Sequence, residues 1–130
     1  MIVVDASALI DVLLNTSAGG RVAGRLFDAS ETLHAPHLID VEIAQVLRRH
    51  LRTGDLDPSR GAAAIEDLMA FPITRYPHSS LLPRIWELRN NVTAYDAAYI
   101  ALAEVLAAPL LTRDARLARA AGHGARIELV

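Results

Sequence analysis

The chain has 130 residues, of which 52% are hydrophobic and 22% charged, and its formal net charge is −2. These values predict one globular domain over residues 1–130 and exclude an intrinsically disordered chain, which needs low hydrophobicity and high net charge. Because the chain has no cysteine, it has neither a disulfide framework nor a thiolate metal site, and a reducing compartment such as the cytoplasm is expected.

The same composition limits how the chain can meet membranes and nucleic acids. The most hydrophobic stretch, residues 94–111, is interrupted by Asp96, Glu104 and Pro109, so no membrane span is predicted. A protein that holds nucleic acid by phosphate neutralisation alone should be basic. Since this chain is not, any such binding must be local or assisted by metal ions.

Strands and helices alternate along the whole chain. In chain order, the first half is predicted to contain a strand at 2–4, helices at 8–14 and 21–29, a strand at 32–35 ended by Pro36, and a long helix at 37–52 closed by Gly54. The second half is predicted to contain a helix at 58–70, a strand at 73–76, helices at 79–89 and 94–106, a strand at 110–112, a helix at 115–121 and a strand at 127–130. The pair Gly19-Gly20 predicts a break before the second helix.

This alternation predicts a three-layer α/β/α domain around a mostly parallel sheet of four or five strands. The helix at 94–106 is apolar nearly all round, which is typical of a central buried helix. The helix at 79–89 places Leu82, Ile85, Trp86 and Leu88 on or near one face. That face is expected to pack in the core, with a dimer contact as the alternative.

Four acidic residues are predicted to meet at one edge of the sheet. Asp5 ends the first strand and Asp114 follows the strand at 110–112, and open parallel sheets bind ligands at the carboxyl ends of their strands. Glu42 and Asp96 lie in early turns of their helices. If those helix starts face the same edge, the four carboxylates converge and require protons or cations. Oxygen ligands of this kind suit Mg²⁺ or Mn²⁺.

Each acidic residue also has a purely structural interpretation. Asp96 with Thr93 resembles a capping box, and Asp114 is placed to cap the helix that follows it. Glu42 is equally compatible with a solvated helix position. Asp5 is the hardest to explain structurally, because it ends an apolar strand at the edge where ligands bind.

The positions of the arginines and histidines say less about function than those of the acidic residues. Arg113, Arg116 and Arg119 recur every three residues beside the proposed site, and arginine suits both phosphates and carboxylates. Arg113 and Arg116 are therefore candidates for contacts with the phosphates of a ligand or with a partner protein. The five histidines, at positions 34, 37, 50, 78 and 123, share no ligand-like spacing and are interpreted as surface or loop residues.

Four segments together resemble the motifs of PIN-domain nucleases. Residues 1–9 (MIVVDASAL) resemble their opening, and Pro36-His37-Leu38 followed by Glu42 resembles their second acidic motif. Residues 93–103 (TAYDAAYIALA) resemble the third, and residues 111–118 (LTRDARLA) the fourth. Each motif alone is weak, but all four occur in order over almost the whole chain. The compact length and the Tyr95-Asp96-Ala97 segment are most similar to VapC toxins of toxin–antitoxin pairs.

The resemblance implies a Mg²⁺-dependent endoribonuclease that cuts cellular RNA, forms a homodimer and is neutralised by a VapB-like antitoxin. Carried over by position, Asp5 and Asp96 would be the principal metal ligands, and Glu42 and Asp114 would complete the site directly or through water. Ser7 and Thr112 would be supporting hydroxyls. The expected chemistry is hydrolysis of a phosphodiester by a metal-activated water.

Other functions are compatible with parts of the pattern. A non-catalytic RNA-binding or adaptor module on the same scaffold is the main alternative, and loss of a site carboxylate would favour it. A phospho-accepting receiver domain needs a lysine near its acidic pocket, and this chain has no lysine. A phosphatase of the haloacid dehalogenase type would need an aspartate where this chain has Ser7.

Overall fold

A computed structural model describes all residues from Met1 to Val130. Its centre is a five-stranded sheet of order β3-β2-β1-β4-β5, in which all four neighbouring pairs are parallel. The strands are β1 (Ile2–Val4), β2 (Leu33–Pro36), β3 (Ile73–Tyr76), β4 (Leu110–Thr112) and β5 (Ile127–Leu129). The predicted parallel α/β sheet is therefore confirmed.

Seven α-helices cover the sheet. They are α1 (Ala6–Leu13), α2 (Gly19–Leu26), α3 (Leu38–Thr53), α4 (Pro58–Ala70), α5 (Leu82–Glu87), α6 (Ala94–Leu106) and α7 (Ala115–Ala118), with a 3₁₀ turn at Ser79–Leu81 before α5. Helices α1 to α4 pack on one another, while α5 packs on α6, which in turn contacts β1, β2 and β4. None of the helices combines the length and apolar character needed to cross a membrane.

The strand order creates a switch point between β1 and β4. From β1 the chain moves outward to β2 and β3, and it then returns to the other side of β1 to form β4 and β5. At such a point the connections leave in opposite directions, which opens a crevice at the carboxyl ends of the two central strands. The residues that follow β1 and end β4 are therefore the ones that a ligand would meet.

The centre of the core lies where helix α6 packs against β1. Every residue of β1 is fully buried, and so is almost every residue of the stretch 97–103 in α6. Alanines at 97, 98, 101 and 103 allow this helix to approach the sheet closely, because they present little side chain. This confirms the predicted central helix. Its end at Ala107 adopts a left-handed backbone with a φ of 48°.

The segment at 79–89 is shorter and less buried than predicted. Of the four apolar residues expected on one face, Ile85 and Leu88 are buried, whereas Leu82 is 56% exposed and Trp86 68% exposed. The expectation that all four apolar residues pack in the core was wrong for these two. The physical reason is the short helix: α5 has six residues, and positions 82 and 86, one turn apart, lie on its outer side.

The histidine interpretation was wrong for His34. This residue lies in β2, is 7% exposed, and its two ring nitrogens lie 2.8 Å from the hydroxyls of Thr32 and Tyr76. Burial, together with repulsion from the N-terminal amine, lowers the pKa of His34 below its ordinary value. The side chain is therefore part of the core and links β2 to β3 through its hydrogen bond with Tyr76.

Helix α2 begins at Gly19 rather than at Arg21, so the Gly19-Gly20 pair lies within its first turn. A Cβ atom on Gly19 would come within 2.4 Å of the backbone oxygen of Asp11. The predicted break is therefore wrong. The first glycine instead permits α1 and α2 to meet closely, while Gly20 has nothing within 4 Å of the equivalent position.

This difference predicts opposite effects for two neighbouring substitutions. Gly19→Ala should destabilise the fold by about 1–3 kcal/mol, because the added methyl overlaps backbone atoms that cannot rotate away. Gly20→Ala should be neutral or stabilising by up to about 1 kcal/mol, since alanine favours the helix. Urea unfolding of both variants measures this directly. Equal effects would show that the close approach of α1 and α2 is not a constraint.

Candidate active site

Asp5 is held in the crevice by the register of the sheet. Val4 pairs with Leu111, so the next residues along, Asp5 and Thr112, are neighbours at the carboxyl ends of β1 and β4. The Asp5 side chain, 8% exposed, accepts hydrogen bonds at Oδ2 from Thr112 Oγ1 and Ser7 Oγ, each at 2.6 Å. Its other oxygen, Oδ1, accepts none from the protein. The two hydroxyls thus fix the carboxylate without neutralising it.

The two hydroxyls are themselves fixed by backbone amides. Ser7 Oγ accepts a hydrogen bond from Arg113 N at 2.9 Å, and Thr112 Oγ1 accepts one from Asp114 N at 3.0 Å. The network therefore ties the β1–α1 junction to the loop that follows β4. The structure places Ser7 and Thr112 where supporting residues were expected, and their contribution to activity stays a prediction.

Glu42 lies in the second turn of α3, which begins just after β2. The hydroxyl of Tyr99, a buried residue of α6, donates a hydrogen bond to Glu42 Oε2. Burial raises the pKa of Glu42 to about 7, and the negative charges of Asp5 and Asp96 add to the rise against the lowering effect of Tyr99. Glu42 is thus part of the same charged group as Asp5, rather than a solvated helix position.

Asp96 is in the first turn of α6. Its backbone N–H donates to Thr93 Oγ1 at 3.2 Å, which confirms the expected helix cap. Burial raises the pKa of Asp96, and the charges of Asp5 and Asp114 raise it further, against the lowering effects of Arg116 and of a hydrogen bond with Thr93. Asp96 therefore belongs both to the cap and to the acidic group.

Asp114 has the structural role that its position suggested. It is the residue before α7, and its Oδ1 accepts hydrogen bonds from Arg116 N at 2.7 Å and Leu117 N at 3.4 Å. Its negative charge also raises the pKa of Asp96. Capping and membership of the acidic group are compatible, because only Oδ1 is used by the cap.

Little positive charge offsets this group. Among the four acidic residues only Asp114 forms an ion pair, and its partner Arg116 lies 3.6 Å away with a side chain that is 89% exposed. No three acidic or histidine side chains are close enough to hold one metal ion directly. An ion that keeps several of its own waters suits carboxylates with this spacing, and Mg²⁺ is such an ion. The donor set, which is entirely oxygen, fits Mg²⁺ or Mn²⁺.

Two contacts at the site were not expected from the sequence. Arg113, a candidate for RNA contacts, has its guanidinium paired with Asp11 of α1. Tyr99 was noted only as part of a motif, although it holds Glu42. One signal was present: Tyr99 is three residues after Asp96, so both lie on the same side of α6.

Comparisons with known proteins identify the family and the fold. The PIN domain family matches residues 2–123. Ribonuclease VapC12 of Mycobacterium tuberculosis is 42% identical over 130 residues, covering 100% of this chain and 99% of that protein. VapC ribonuclease Mb0985 of Mycobacterium bovis is 47% identical over 117 residues, covering 90% and 88%. The structure of VapBC2 from Rickettsia felis, bound to a DNA fragment from its promoter, aligns with a TM-score of 0.73 at 11% identity, covering 100% and 99%. That last likeness concerns the fold alone.

The raised pKa of Glu42 predicts an unusual dependence of stability on pH. In the unfolded chain Glu42 has its ordinary pKa of 4.5, and in the folded chain about 7, so the folded state binds the proton more tightly. The stabilisation that comes from this bound proton is complete below the pKa of the unfolded chain and is lost as pH rises through about 7. In EDTA, the melting temperature should fall between about pH 5 and about pH 8, and Glu42→Gln should reduce this fall.

Glu104→Gln is the matched control, because hydrogen bonds from Arg84 lower the pKa of Glu104. That carboxylate stabilises the fold above its ordinary pKa, so its removal should lower the melting temperature at pH 8, where Glu42→Gln should raise it. If Glu42→Gln melted like the parent protein across this range, the raised pKa of Glu42 would be contradicted.

Proposed function

This chain belongs to the PIN-domain family and, within it, to the VapC ribonucleases, and on that premise we propose that it is a metal-dependent endoribonuclease, the toxin of a toxin–antitoxin pair. One observation carries the proposal. Asp5 is fixed at the switch point by two neutral hydroxyls, within a group of carboxylates in which burial and the charge of Asp5 raise the pKa of Glu42 and of Asp96. All four acidic positions expected of such a nuclease are present and belong to this group.

Asp5 and Asp96 are the residues that would principally hold Mg²⁺, or Mn²⁺ in its place, with Glu42 and Asp114 contributing directly or through water. When bound, such an ion lowers the pKa of a water molecule and polarises a phosphoryl oxygen, which suits hydrolysis of a phosphodiester. The adaptor alternative is not favoured, because no carboxylate of the group is missing.

The protein's own groups prepare this chemistry. Ser7 and Thr112 orient the Asp5 carboxylate through Oδ2 and leave Oδ1 free of hydrogen bonds from the protein. Tyr99 holds Glu42 at Oε2. With a pKa of about 7, Glu42 carries a proton for part of the time at neutral pH, and binding of a cation would favour release of that proton.

The partners follow from the family rather than from this chain's geometry. The relatives are named VapC ribonucleases, and the Rickettsia felis structure is of a VapBC2 complex. We therefore infer RNA as substrate, a VapB-like antitoxin as partner, a homodimer as the assembly and the cytoplasm as the location.

Substitution of the principal carboxylates tests the proposed activity. Asp5→Asn and Asp96→Asn should each lower Mg²⁺-dependent cleavage of cellular RNA by at least about a hundredfold, because each removes a negatively charged ligand that the ion needs. Neither should lower the melting temperature in EDTA, since each relieves repulsion. RNA fragments are measured by end mapping after incubation with purified protein. Asp67→Asn, at an exposed position of α4, is the control and should cleave like the parent.

Mg²⁺ should also raise the melting temperature of the parent protein, because an ion that binds only the folded state stabilises it by mass action. Asp5→Asn should show a much smaller rise. Full cleavage by a well-folded Asp96→Asn protein, or no response of the parent to Mg²⁺ and Mn²⁺, would contradict the proposed function.

Thr112 offers a separate test of positioning. Thr112→Val removes the hydrogen bond to Asp5 Oδ2 at nearly constant volume, and should lower kcat by about ten- to a hundredfold. Thr112→Ser keeps the hydroxyl and should restore most of the activity. If the serine and valine variants were equally impaired at equal stability, keeping the hydroxyl would not preserve activity, and the proposed positioning role of the hydrogen bond would be contradicted.

A further inference from the structure

Arg113 lies in a bend between β4 and α7, outside any helix or strand, and contacts helix α1 at two points. Its backbone N–H donates to Ser7 Oγ at 2.9 Å, and its guanidinium donates through Nη1 to the carboxylate of Asp11. Ser7 and Asp11 are four residues apart in α1, so they lie on the same face of that helix. Arg113 is therefore fastened to one face of α1 both by its backbone and by its side chain.

The backbone contact belongs to a series of hydrogen bonds that ends on Asp5. The Arg113 amide donates to the Ser7 hydroxyl, which in turn donates to Asp5 Oδ2 at 2.6 Å. The amide of Asp114 reaches the same oxygen through the hydroxyl of Thr112. Hydrogen bonds in series polarise one another, so displacement of the first donor weakens the last bond. The backbone position of residues 113 and 114 thus decides how firmly the Asp5 carboxylate is oriented.

The carboxylate of Asp11 is held by a second contact besides the guanidinium. The hydroxyl of Thr16, in the turn after α1, donates to Asp11 Oδ1 at 2.7 Å and accepts from Gly19 N at 3.2 Å. The other oxygen, Oδ2, accepts from Arg113. The Asp11 side chain is 17% exposed, so water reaches it only in part. Asp11 is therefore a fixed anchor for the guanidinium.

This pairing also limits what Arg113 can do elsewhere. The sequence makes Arg113 a candidate for contacts with phosphates, but in the structure its charge is balanced by Asp11. It forms no ion pair with any carboxylate of the acidic group, where Arg116 alone contacts Asp114. A phosphate would have to compete with Asp11 for the guanidinium, because both accept charge-assisted hydrogen bonds from it. The geometry therefore favours a role for Arg113 within the protein.

We propose that Asp11 and Arg113 form a positioning pair for the nuclease. By holding the bend after β4 against α1, the pair keeps the Arg113 amide on Ser7 and thereby keeps the Asp5 carboxylate oriented for the metal ion. Neither side chain of the pair contacts the substrate. The inference rests on the proposed function for the role of Asp5, and it adds two residues that lie outside the acidic group.

A double-mutant cycle tests the pair. Asp11→Asn keeps the oxygen that Thr16 binds but turns an amide donor toward the guanidinium, whereas Arg113→Ala removes the guanidinium and keeps the backbone N–H. Each should lower kcat for Mg²⁺-dependent RNA cleavage by about tenfold and leave KM for RNA unchanged. Asp11→Asn/Arg113→Ala should lose no more than either single variant, because both changes break one interaction. Arg113→Lys keeps the charge and should recover most of the activity.

Two further measurements do not depend on cleavage. In EDTA, hydrogen exchange followed by NMR should be at least about tenfold faster at the Arg113 amide of Asp11→Asn than of the parent, because the contact with Ser7 loosens. The rise in melting temperature on addition of Mg²⁺ should be smaller in Asp11→Asn and in Arg113→Ala than in the parent. Their melting temperatures in EDTA should change little, since partly exposed ion pairs contribute little to stability.

Arg25→Ala and Glu128→Gln are the matched controls. The Arg25 side chain is 32% exposed, against 33% for Arg113, and it pairs with Glu128. This pair joins α2 to β5, and neither element carries a residue of the acidic group. Both controls should cleave RNA like the parent and leave exchange at the Arg113 amide unchanged. They separate the loss of any ion pair from the loss of this one.

A phosphate-binding role for Arg113 predicts the opposite sign, because Asp11→Asn would free the guanidinium and lower KM for RNA. That result would overturn the proposal. So would losses that multiply in the double variant, or equal exchange at the Arg113 amide in the parent and in Asp11→Asn. Failure of the nuclease function is distinguishable, because the parent would then cleave no RNA although Asp11→Asn still accelerated exchange at that amide.

Discussion

Repulsion between carboxylates at the switch point is the constraint to which the rest of this site responds. Two like charges about 4 Å apart repel by roughly 4 kcal/mol at an effective dielectric of 20. The parallel register that aligns β1 with β4 brings Asp5 beside Thr112, and the starts of α3 and α6 bring Glu42 and Asp96 to the same edge. Burial, together with the charges of Asp5 and Asp96, raises the pKa of Glu42 to about 7, and no basic side chain forms an ion pair with Glu42.

Neutral donors make this arrangement useful. Ser7, Thr112 and Tyr99 hold the carboxylates in place by hydrogen bonds and leave their charge uncompensated. The Asp40 carboxylate shows the other arrangement, since it receives a two-pronged contact from the guanidinium of Arg75. Such a pair is electrically complete and has no need of a metal ion.

The sequence predicts the parts of the structure that depend on local pattern and chain order. The strand at 110–112, the buried helix at 94–106 and the convergence of the acidic residues follow from periodicity and from the rule for parallel sheets. Contacts between distant side chains were not accessible, since the pairing of Arg113 with Asp11 or Tyr99 with Glu42 depends on how helices are oriented. His34 and Trp86 show the same limit, because burial is decided by what packs above a residue.

The two charged surfaces have to be considered together. A carboxylate group repels phosphate, so an acidic site cannot by itself attract RNA, and the net charge of −2 supplies no general attraction. Arg89, Arg116 and Arg119 line a groove beside Asp96 and carry positive charge close to the acidic group. Under the proposed function, a divalent cation on the acidic group would let a phosphate approach the carboxylates. Holding the strand and holding the metal are then two separate requirements, and a slightly acidic protein could meet each of them locally.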